Sequence, residues 1–345
     1  MTVLRMRRPD DWHLHLRDGA HMAAVLPFTA RRFARALVMP NLKPPMTTVE
    51  ALDAYRARIL AALPGGADFQ PLMTLYLTDR TPPEEIRRAR DSGFVVGAKL
   101  YPAGATTHSD AGVTSIERVW GPLEAMAAAG LVLQVHGEVT EGEVDVFDRE
   151  RAFIDRVLSL VVERVPGLKV VFEHVTTAEA VEFVRGARPG VAATMTPQHL
   201  LMNRNAMFEG GLRPHAYCLP VLKRERDREA LVAAATGDDP RFFLGTDSAP
   251  HARHTKEAAC GCAGIFSAHA GLELYAEVFD AAGRLDRLEA FASERGADFY
   301  GLPRNSGEIA LERVAWQVPS GYAFGGDELV PLRAGGTVGW RLVPG

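Results

Sequence analysis

Short runs of apolar and β-branched residues recur along the chain and are separated by stretches with helical spacing. Eight runs have the length of buried strands: 12–16, 36–39, 69–77, 95–100, 131–135, 169–172, 191–195 and 242–244. Helical patterns lie between several of them, including 49–63, 83–92, 115–129, 148–164, 177–185 and 224–235. Continuous apolar strands that alternate with helices favour parallel pairing with both sheet faces covered. The pattern predicts an α/β fold, a (β/α)8 TIM-type barrel, with a doubly wound open sheet as the alternative.

The chain changes character after about residue 305. Glycine and proline become frequent there, and helical spacing fades. We expect residues 305–345 to form a small β-rich extension packed on the barrel, and residues 1–345 to form a single domain. A typical barrel of this kind takes about 250 residues, which leaves room for the extension.

The composition narrows the function classes. With 47% hydrophobic and 24% charged residues, the chain is typical of globular proteins and unlike disordered or collagen-like ones. Its net charge of −4 gives no indication of a nucleic-acid partner. No apolar stretch reaches the roughly 18 residues of a membrane span, and the N-terminus lacks the apolar region of a secretory signal. Three cysteines cannot build a disulfide framework, so we expect a cytoplasmic protein.

Two histidines share one face of the first predicted strand. His13 and His15 flank Leu14, and side chains at positions i and i+2 of a strand point to the same side. Two imidazoles so placed can bind one metal ion together. A His-x-His sequence alone is a weak signal, because a chance pair of histidines has the same spacing.

Further candidate ligands follow other predicted strands. His136, His174 and Asp247 come just after the fifth, sixth and eighth strands. In a closed parallel barrel the carboxyl ends of the strands converge on one face, where catalytic groups are found. Taken singly, His136 or His174 is better explained by a strand-end hydrogen bond, and Asp247 could be a turn residue or a helix N-cap. Together with His13 and His15 they favour a site with nitrogen and oxygen ligands, which suits zinc.

Lys99 lies at the end of the fourth predicted strand, in a chain with five lysines among its 39 basic residues. An ammonium group has no lone pair to accept a hydrogen bond or to bind a cation. The side chain could extend to the surface, or a neutral amine could form a Schiff base with a carbonyl substrate. A third interpretation is that the amine captures carbon dioxide to give a carbamate with two oxygens for two metal ions. The surrounding histidines and Asp247 favour the carbamate.

The candidate residues lie within longer motifs that span nearly the whole chain. These are DDWHLHLR (10–17), MPN (39–41), GAKLYP (97–102), VHGE (135–138), EH (173–174), TPQHL (196–200), CLP (218–220), GTDSAPH (245–251) and CGCAG (260–264). The set resembles the amidohydrolase superfamily and, within it, the dihydroorotases of the short bacterial type. The His-x-His sequence marks only the superfamily, whereas the TDSAPH and CGCAG segments are far more specific. The match is weakest in the C-terminal tail.

The resemblance implies a binuclear centre with two Zn²⁺ per subunit. The ligands of the more buried ion would be His13, His15 and Asp247, and those of the other His136 and His174. Lys99, carboxylated to N6-carboxylysine, and a hydroxide would bridge the two ions. Sites of this type also accept cobalt or manganese. The resemblance further suggests a homodimer.

The reaction that the resemblance implies is the reversible hydrolysis of the cyclic amide of L-dihydroorotate to N-carbamoyl-L-aspartate, in pyrimidine biosynthesis. The bridging hydroxide would attack the ring carbonyl. Asp247 would accept its proton and return it to the leaving nitrogen, acting first as general base and then as general acid.

The resemblance also assigns the groups that bind this small-molecule substrate. Arg17, Asn41 and His251 would bind its carboxylate, and backbone groups of Leu219 and Ala263 would contact the ring or the carboxylate. Arginine suits this role because its guanidinium can bind a carboxylate through two parallel hydrogen bonds. A structural salt bridge is the alternative for Arg17, and a turn is the alternative for Asn41.

A segment of small and polar residues, 102–112, follows the Lys99 strand and leaves from the predicted active-site face. Mobile lids have this composition, and so do ordinary surface loops. The resemblance implies a lid whose Thr106 and Thr107 form hydrogen bonds with the bound ligand.

Three rival functions remain open at the level of sequence. Another cyclic amidase, acting on hydantoin, dihydropyrimidine or allantoin, would not need the carboxylate-binding set of Arg17, Asn41 and His251. A metal-free lyase would use Lys99 as a Schiff base and would tolerate loss of metal. A non-catalytic scaffold protein would be expected to have lost ligands, and none of the motif positions is missing.

Overall fold

The computed structural model describes residues 2–344, and parallel strands form its centre. The strands are β1 (Val3–Arg7), β2 (Asp10–Leu14), β3 (Arg35–Val38), β4 (Gln70–Tyr76), β5 (Val95–Leu100), β6 (Val132–Val135), β7 (Lys169–Phe172), β8 (Val191–Met195), β9 (Phe242–Leu244), β10 (Glu308–Glu312), β11 (Trp316–Gln317), β12 (Tyr322–Phe324), β13 (Asp327–Leu329), β14 (Thr337–Val338) and β15 (Arg341–Leu342). The eight strands from β2 to β9 form one sheet in sequence order, and every adjacent pair in it is parallel.

The sheet closes on itself between its first and last strands. Just beyond the end of β9, the backbone N–H of Asp247 donates to the carbonyl of His13 over 2.8 Å, and the N–H of His15 donates to Ser248 over 3.1 Å. These bonds join β2 to the segment after β9. The predicted (β/α)8 barrel is therefore confirmed, and the open doubly wound sheet is wrong.

Helices surround the barrel and connect its strands. They are α1 (Gly19–Ala30), α2 (Val49–Ala61), α3 (Pro83–Asp91), α4 (Trp120–Ala129), α5 (Arg149–Phe153), α6 (Ser159–Arg164), α7 (Ala178–Gly186), α8 (Pro197–Leu201), α9 (Glu225–Ala235), α10 (Arg253–Lys256), α11 (Gly271–Ala281) and α12 (Arg295–Tyr300). Threonine side chains cap α2 and α7: Thr48 accepts from the N–H of Ala51, and Thr177 accepts from that of Ala180. In residues 2–344 we find no helix with the length and apolar character that crossing a bilayer requires.

The first barrel strand begins earlier than the apolar pattern indicates. The predicted run is 12–16, whereas β2 spans Asp10–Leu14. Its first two residues are buried carboxylates with full sets of partners: Asp10 pairs with Arg35 over 2.6 Å, and Asp11 accepts from both the N–H and the hydroxyl of Thr246. Buried charges are tolerated when they are paired in this way, which an apolar pattern does not reveal.

The C-terminal tail contains the short strands β10 to β15, and its description as a small β-rich extension packed on the barrel stays a prediction. Its first strand, β10, pairs antiparallel with β1 and with β15, so the tail is joined to the N-terminal strand. The hairpin of β12 and β13 reaches back to α1, where the ring of Phe324 stacks on His21 at 4.2 Å. That residues 1–345 make a single domain stays a prediction.

Candidate metal centre and substrate pocket

His13, His15 and Asp247 form a buried cluster at the carboxyl ends of β2 and β9. One oxygen of Asp247 lies 3.4 Å from Nε2 of His13 and 3.1 Å from Nε2 of His15. One ligand atom from each residue lies within 4.8 Å of the others. The barrel thus brings three of the predicted ligands together at the spacing that a single metal ion requires.

His136 and His174 extend this cluster to a second position. The ring centroid of His174 lies 4.8 Å from that of His136 and 5.0 Å from that of His13. Burial lowers the pKa of both His13 and His174 well below the ordinary value, and the charge of Lys99 acts in the same direction. A neutral imidazole keeps the lone pair that a metal ion needs.

Three of the site residues adopt a left-handed backbone. The φ angles are 65° at Arg17, 43° at His174 and 44° at Asp247, a region that non-glycine residues rarely occupy. Such strain clusters at functional sites and persists where the surroundings impose it. Here the N–H of Asp247 is held by the carbonyl of His13, and that of His174 by the hydroxyl of Thr194 over 2.8 Å.

Two buried glutamates orient the histidines. Glu173 accepts from Nδ1 of His13 over 2.9 Å, and Glu138 accepts from Nε2 of His136 over 2.8 Å. Each bond fixes the imidazole tautomer and turns the other ring nitrogen toward the cluster. Burial raises the pKa of Glu173 to about 7. Sequence reasoning gave these glutamates no role, although they stand one residue before His174 and two after His136.

Lys99 is fully buried beneath the cluster. Its Nζ has no hydrogen-bond partner among residues 2–344 and lies 5.1 Å from the ring centroid of Tyr101. Burial lowers the pKa of its ammonium to about 8, while Glu173 and Asp247 oppose that shift. A buried cation without a hydrogen-bonded partner is unfavourable. Because the side chain is fully buried, the interpretation that Lys99 extends to the surface is wrong.

The donor set fits a metal centre. His15 and His174 each retain a buried Nδ1 without a partner within residues 2–344. Burial opposes ionisation of Asp247, but the interactions of its carboxylate with His13, His15 and Lys99 lower its pKa to about 2, so this carboxylate is ionised. Neutral imidazoles and an ionised carboxylate are the ligands that zinc accepts.

The predicted carboxylate-binding residues lie beside this cluster. Nη2 of Arg17 contacts Nε2 of His251 at 2.9 Å, and Nε of Arg17 donates to the carbonyl of Pro250 over 2.9 Å. The hydroxyl of Tyr55 holds the carbonyl of Arg17. Burial and the charge of Arg17 lower the pKa of His251 far below its ordinary value, so this imidazole is neutral. These contacts hold the guanidinium of Arg17 in place beside the cluster.

Residues 102–112, the predicted lid, contact three other parts of the chain beside the pocket. Asn41 donates to the carbonyl of Thr107 over 3.0 Å, and the Thr107 hydroxyl donates to the carbonyl of Ala263 over 3.3 Å. Nδ1 of His108 lies 3.2 Å from the carbonyl of Asn41, and the Tyr76 hydroxyl donates to that of His108 over 3.3 Å.

One enclosed cavity contains most of the predicted site. Its walls include His13, His15, Arg17, Asn41, Thr106, Thr107, His136, His174, Leu219, Asp247 and Ala263. Lys99 and His251 are not among these wall residues, but Nζ of Lys99 lies 5.1 Å from the ring of Tyr101, and His251 contacts Arg17. Tyr101, which sequence reasoning did not select, also lines the cavity.

Lys256 is a further residue that sequence reasoning missed. Its buried ammonium donates to the carbonyls of Tyr217, Cys262 and Gly264 over 3.0, 2.9 and 2.6 Å. It therefore ties together the two segments that carry Leu219 and Ala263. The signal in the sequence was that Lys256 is one of five lysines in an arginine-rich chain and lies four residues before the CGCAG motif.

Comparison with known proteins agrees with this geometry. The sequence profile of the amidohydrolase family matches residues 11–320. A dihydroorotase of Azoarcus sp. (strain BH72) is 67% identical over 343 residues, which cover 99% of this chain and 100% of that protein. One of Methylobacillus flagellatus is 66% identical, with 99% of each chain covered.

Solved structures give the same result. The crystal structure of dihydroorotase from Campylobacter jejuni has a TM-score of 0.90 and 36% identity, covering 99% of this chain and 97% of that one. The dihydroorotase of Saccharomyces cerevisiae, solved in complex with 5-fluoroorotic acid, has a TM-score of 0.91 and 30% identity, with both chains fully covered. An L-hydantoinase from Arthrobacter aurescens, at 19% identity, shares the fold. This chain belongs to the amidohydrolase family and, within it, to the dihydroorotases.

Proposed function

We propose that this protein interconverts L-dihydroorotate and N-carbamoyl-L-aspartate, a step of pyrimidine biosynthesis, as a cytoplasmic homodimer. One observation carries the choice of substrate. Arg17 and Asn41 face the same enclosed cavity as His13, His15 and Asp247. A carboxylate bound to Arg17 leaves the rest of a small ring next to the histidine cluster, whereas a hydantoin or dihydropyrimidine ring has no carboxylate for this arginine.

Six residues are proposed to hold two zinc ions. His13, His15 and Asp247 would hold one ion, His136 and His174 would hold the other, and carboxylated Lys99 would contribute ligand oxygens. When bound, the ions would lower the pKa of water toward 7 and polarise the scissile carbonyl. The ammonium of Lys99 would first lose one proton, and the neutral amine would then join carbon dioxide through a new N–C bond with loss of a second proton. An anion would thus replace an unpaired buried cation.

The chain's own groups bind the ring and move the proton. Arg17, Asn41 and His251 fix the substrate carboxylate, and the backbone at Leu219 and Ala263 positions the ring edge. Asp247 accepts the proton of the attacking water and returns it to the ring nitrogen as the amide bond breaks. An amide nitrogen leaves poorly unless it is protonated, so this return is required.

The function is tested by following dihydroorotate consumption together with metal content. We expect about two metal ions per chain, loss of activity on chelation and recovery with zinc plus bicarbonate. Full metal content without dihydroorotate turnover would indicate that the substrate is another cyclic amide. Activity that survives complete metal removal would favour the interpretation in which Lys99 forms a Schiff base with the substrate.

The lid threonines provide a separate prediction. Thr106→Ala and Thr107→Ala are each expected to lower kcat by about tenfold, the value of one hydrogen bond to the reacting ligand, with metal content unchanged. Steady-state kinetics and metal analysis check this. Thr114→Ala is the matched control, because its hydroxyl donates to Asp79 at the outer base of the loop. Unchanged kinetics in both lid variants would contradict the lid role.

Lys256 is expected to position the ring-binding backbone. Lys256→Met removes one ammonium from three buried carbonyls and should lower the free energy of unfolding by about 2–3 kcal/mol. It should also raise the KM for dihydroorotate about five- to tenfold, because the segments around Leu219 and Ala263 are no longer held for binding.

The control for Lys256 is Lys223→Met. Lys223 is equally buried, with 4% of its surface exposed, and it donates to the carbonyl of Val221 over 3.0 Å. This variant should lose stability while KM changes little. If both variants lower stability and neither changes KM, then Lys256 has a purely structural role.

A further inference from the structure

The hydroxyl of Tyr101 has no partner although it is buried. Tyr101 directly follows β5, and 1% of its surface is exposed. Its Oη makes no hydrogen bond within the described range 2–344. Because buried hydroxyl groups are nearly always hydrogen-bonded in folded proteins, this one calls for a partner that is not part of the chain.

Other buried tyrosines of this protein are satisfied. The hydroxyl groups of Tyr55 and Tyr76 donate to backbone carbonyls, and that of Tyr275 donates to two. Tyr300, which is partly exposed, accepts from the side chain of Gln134 over 3.1 Å. The exception is therefore local to Tyr101, and it coincides with the cavity that Arg17 and Asp247 also line.

The surroundings hold the Tyr101 ring in the cavity wall. The ring stacks on Tyr76 with a centroid separation of 5.2 Å, and the Tyr101 carbonyl accepts from the N–H of Val113 at the far end of the lid over 2.8 Å. Lys99 lies over the ring, but its Nζ and the Tyr101 hydroxyl both lack a partner, so the two groups do not bond to each other. The hydroxyl is held in place and remains available to a ligand.

We propose that the Tyr101 hydroxyl donates a hydrogen bond to a ring carbonyl oxygen of the bound pyrimidine, an inference that rests on the proposed function. Different walls of the cavity carry different chemical groups, and each group matches a different part of the ligand. The substrate carboxylate matches the cationic group of Arg17, and a neutral phenol matches a carbonyl oxygen. Tyr101 thus favours a ring that carries a carbonyl at this position and disfavours one that lacks it, since the hydroxyl would then stay buried and unpaired.

The test compares Tyr101→Phe with Tyr275→Phe in the metal-loaded protein. In Tyr101→Phe we expect kcat/KM for dihydroorotate and affinity for 5-fluoroorotate to fall together by about tenfold. Metal content should match wild type, and the Tm without ligand should equal or exceed it, because no protein hydrogen bond is lost. Tyr275→Phe should show the reverse, a lower Tm with much smaller changes in kinetics and binding, because two buried carbonyls lose their donor.

The outcomes separate this inference from the proposed function. If wild type turns over dihydroorotate and binds 5-fluoroorotate while Tyr101→Phe does both equally well, the Tyr101 assignment alone is overturned. If the Tyr101→Phe protein loses metal while its KM stays constant, the hydroxyl interacts with the metal centre and not with the ring. This result also overturns the Tyr101 assignment. If wild type neither turns over dihydroorotate nor binds 5-fluoroorotate, the proposed function fails and the Tyr101 inference fails with it.

Discussion

Asp247→Asn is expected to lower kcat for dihydroorotate by about 10²–10⁴-fold, the usual contribution of a general acid–base group. Asparagine keeps the shape of the side chain and tolerates the positive φ of 44° at this position, so the backbone should be retained. What it loses is the ability to accept a proton from water and to return it to the ring nitrogen. Stopped-flow or steady-state kinetics on the metal-loaded variant measure the effect.

The control for Asp247→Asn is ligand binding. Affinity for 5-fluoroorotate should stay close to wild type, because Arg17, Asn41 and His251 are untouched, and thermal unfolding should remain cooperative. Metal analysis distinguishes loss of the proton carrier from loss of a ligand: reduced metal content would assign part of the effect to coordination. Turnover within threefold of wild type would exclude Asp247 as the proton carrier.

The parts of the site that lie on the barrel strands or just after them could be predicted from the sequence. His13 and His15 are visible because alternation places both on one face of a strand, and His136, His174 and Asp247 because parallel strands end on one face of a barrel. These arguments use only local spacing and fold class. The barrel itself was predicted in the same way, from apolar runs that alternate with helices.

The remaining parts depend on contacts between distant segments. Glu173 binds His13 across 160 positions of sequence, and Lys256 binds Tyr217 across 39, so no local pattern reveals either pair. The unpaired hydroxyl of Tyr101 is a property of its surroundings, since the residue type alone says nothing about its partners. The early start of β2 has the same origin, because the Asp10–Arg35 pair needs both strands in place.

Lys99→Met should abolish turnover, with a loss of at least about 10³-fold, because several kcal/mol of transition-state stabilisation depend on a complete metal centre. Methionine has a similar length and fits the fully buried position, but it cannot form a carbamate. We expect metal content to fall below that of wild type. Kinetics measure the loss of turnover, and metal analysis measures the metal content. Mass spectrometry of the intact wild-type protein detects the mass of the added carbon dioxide.

Stability measurements give Lys99→Met a second, independent readout. In wild type without metal, the Nζ of Lys99 is buried and has no partner within residues 2–344, which is unfavourable. The metal-free variant should therefore be at least as stable as metal-free wild type, whereas an ordinary core lysine with partners would lose stability on replacement. Lys99→Ala should lose activity as well and regain part of it with propionate, since a free carboxylate can enter the space left by the shortened side chain. An inactive Lys99→Ala protein that propionate does not rescue, with metal content equal to wild type, would contradict the carbamate and support direct chemistry by the amine.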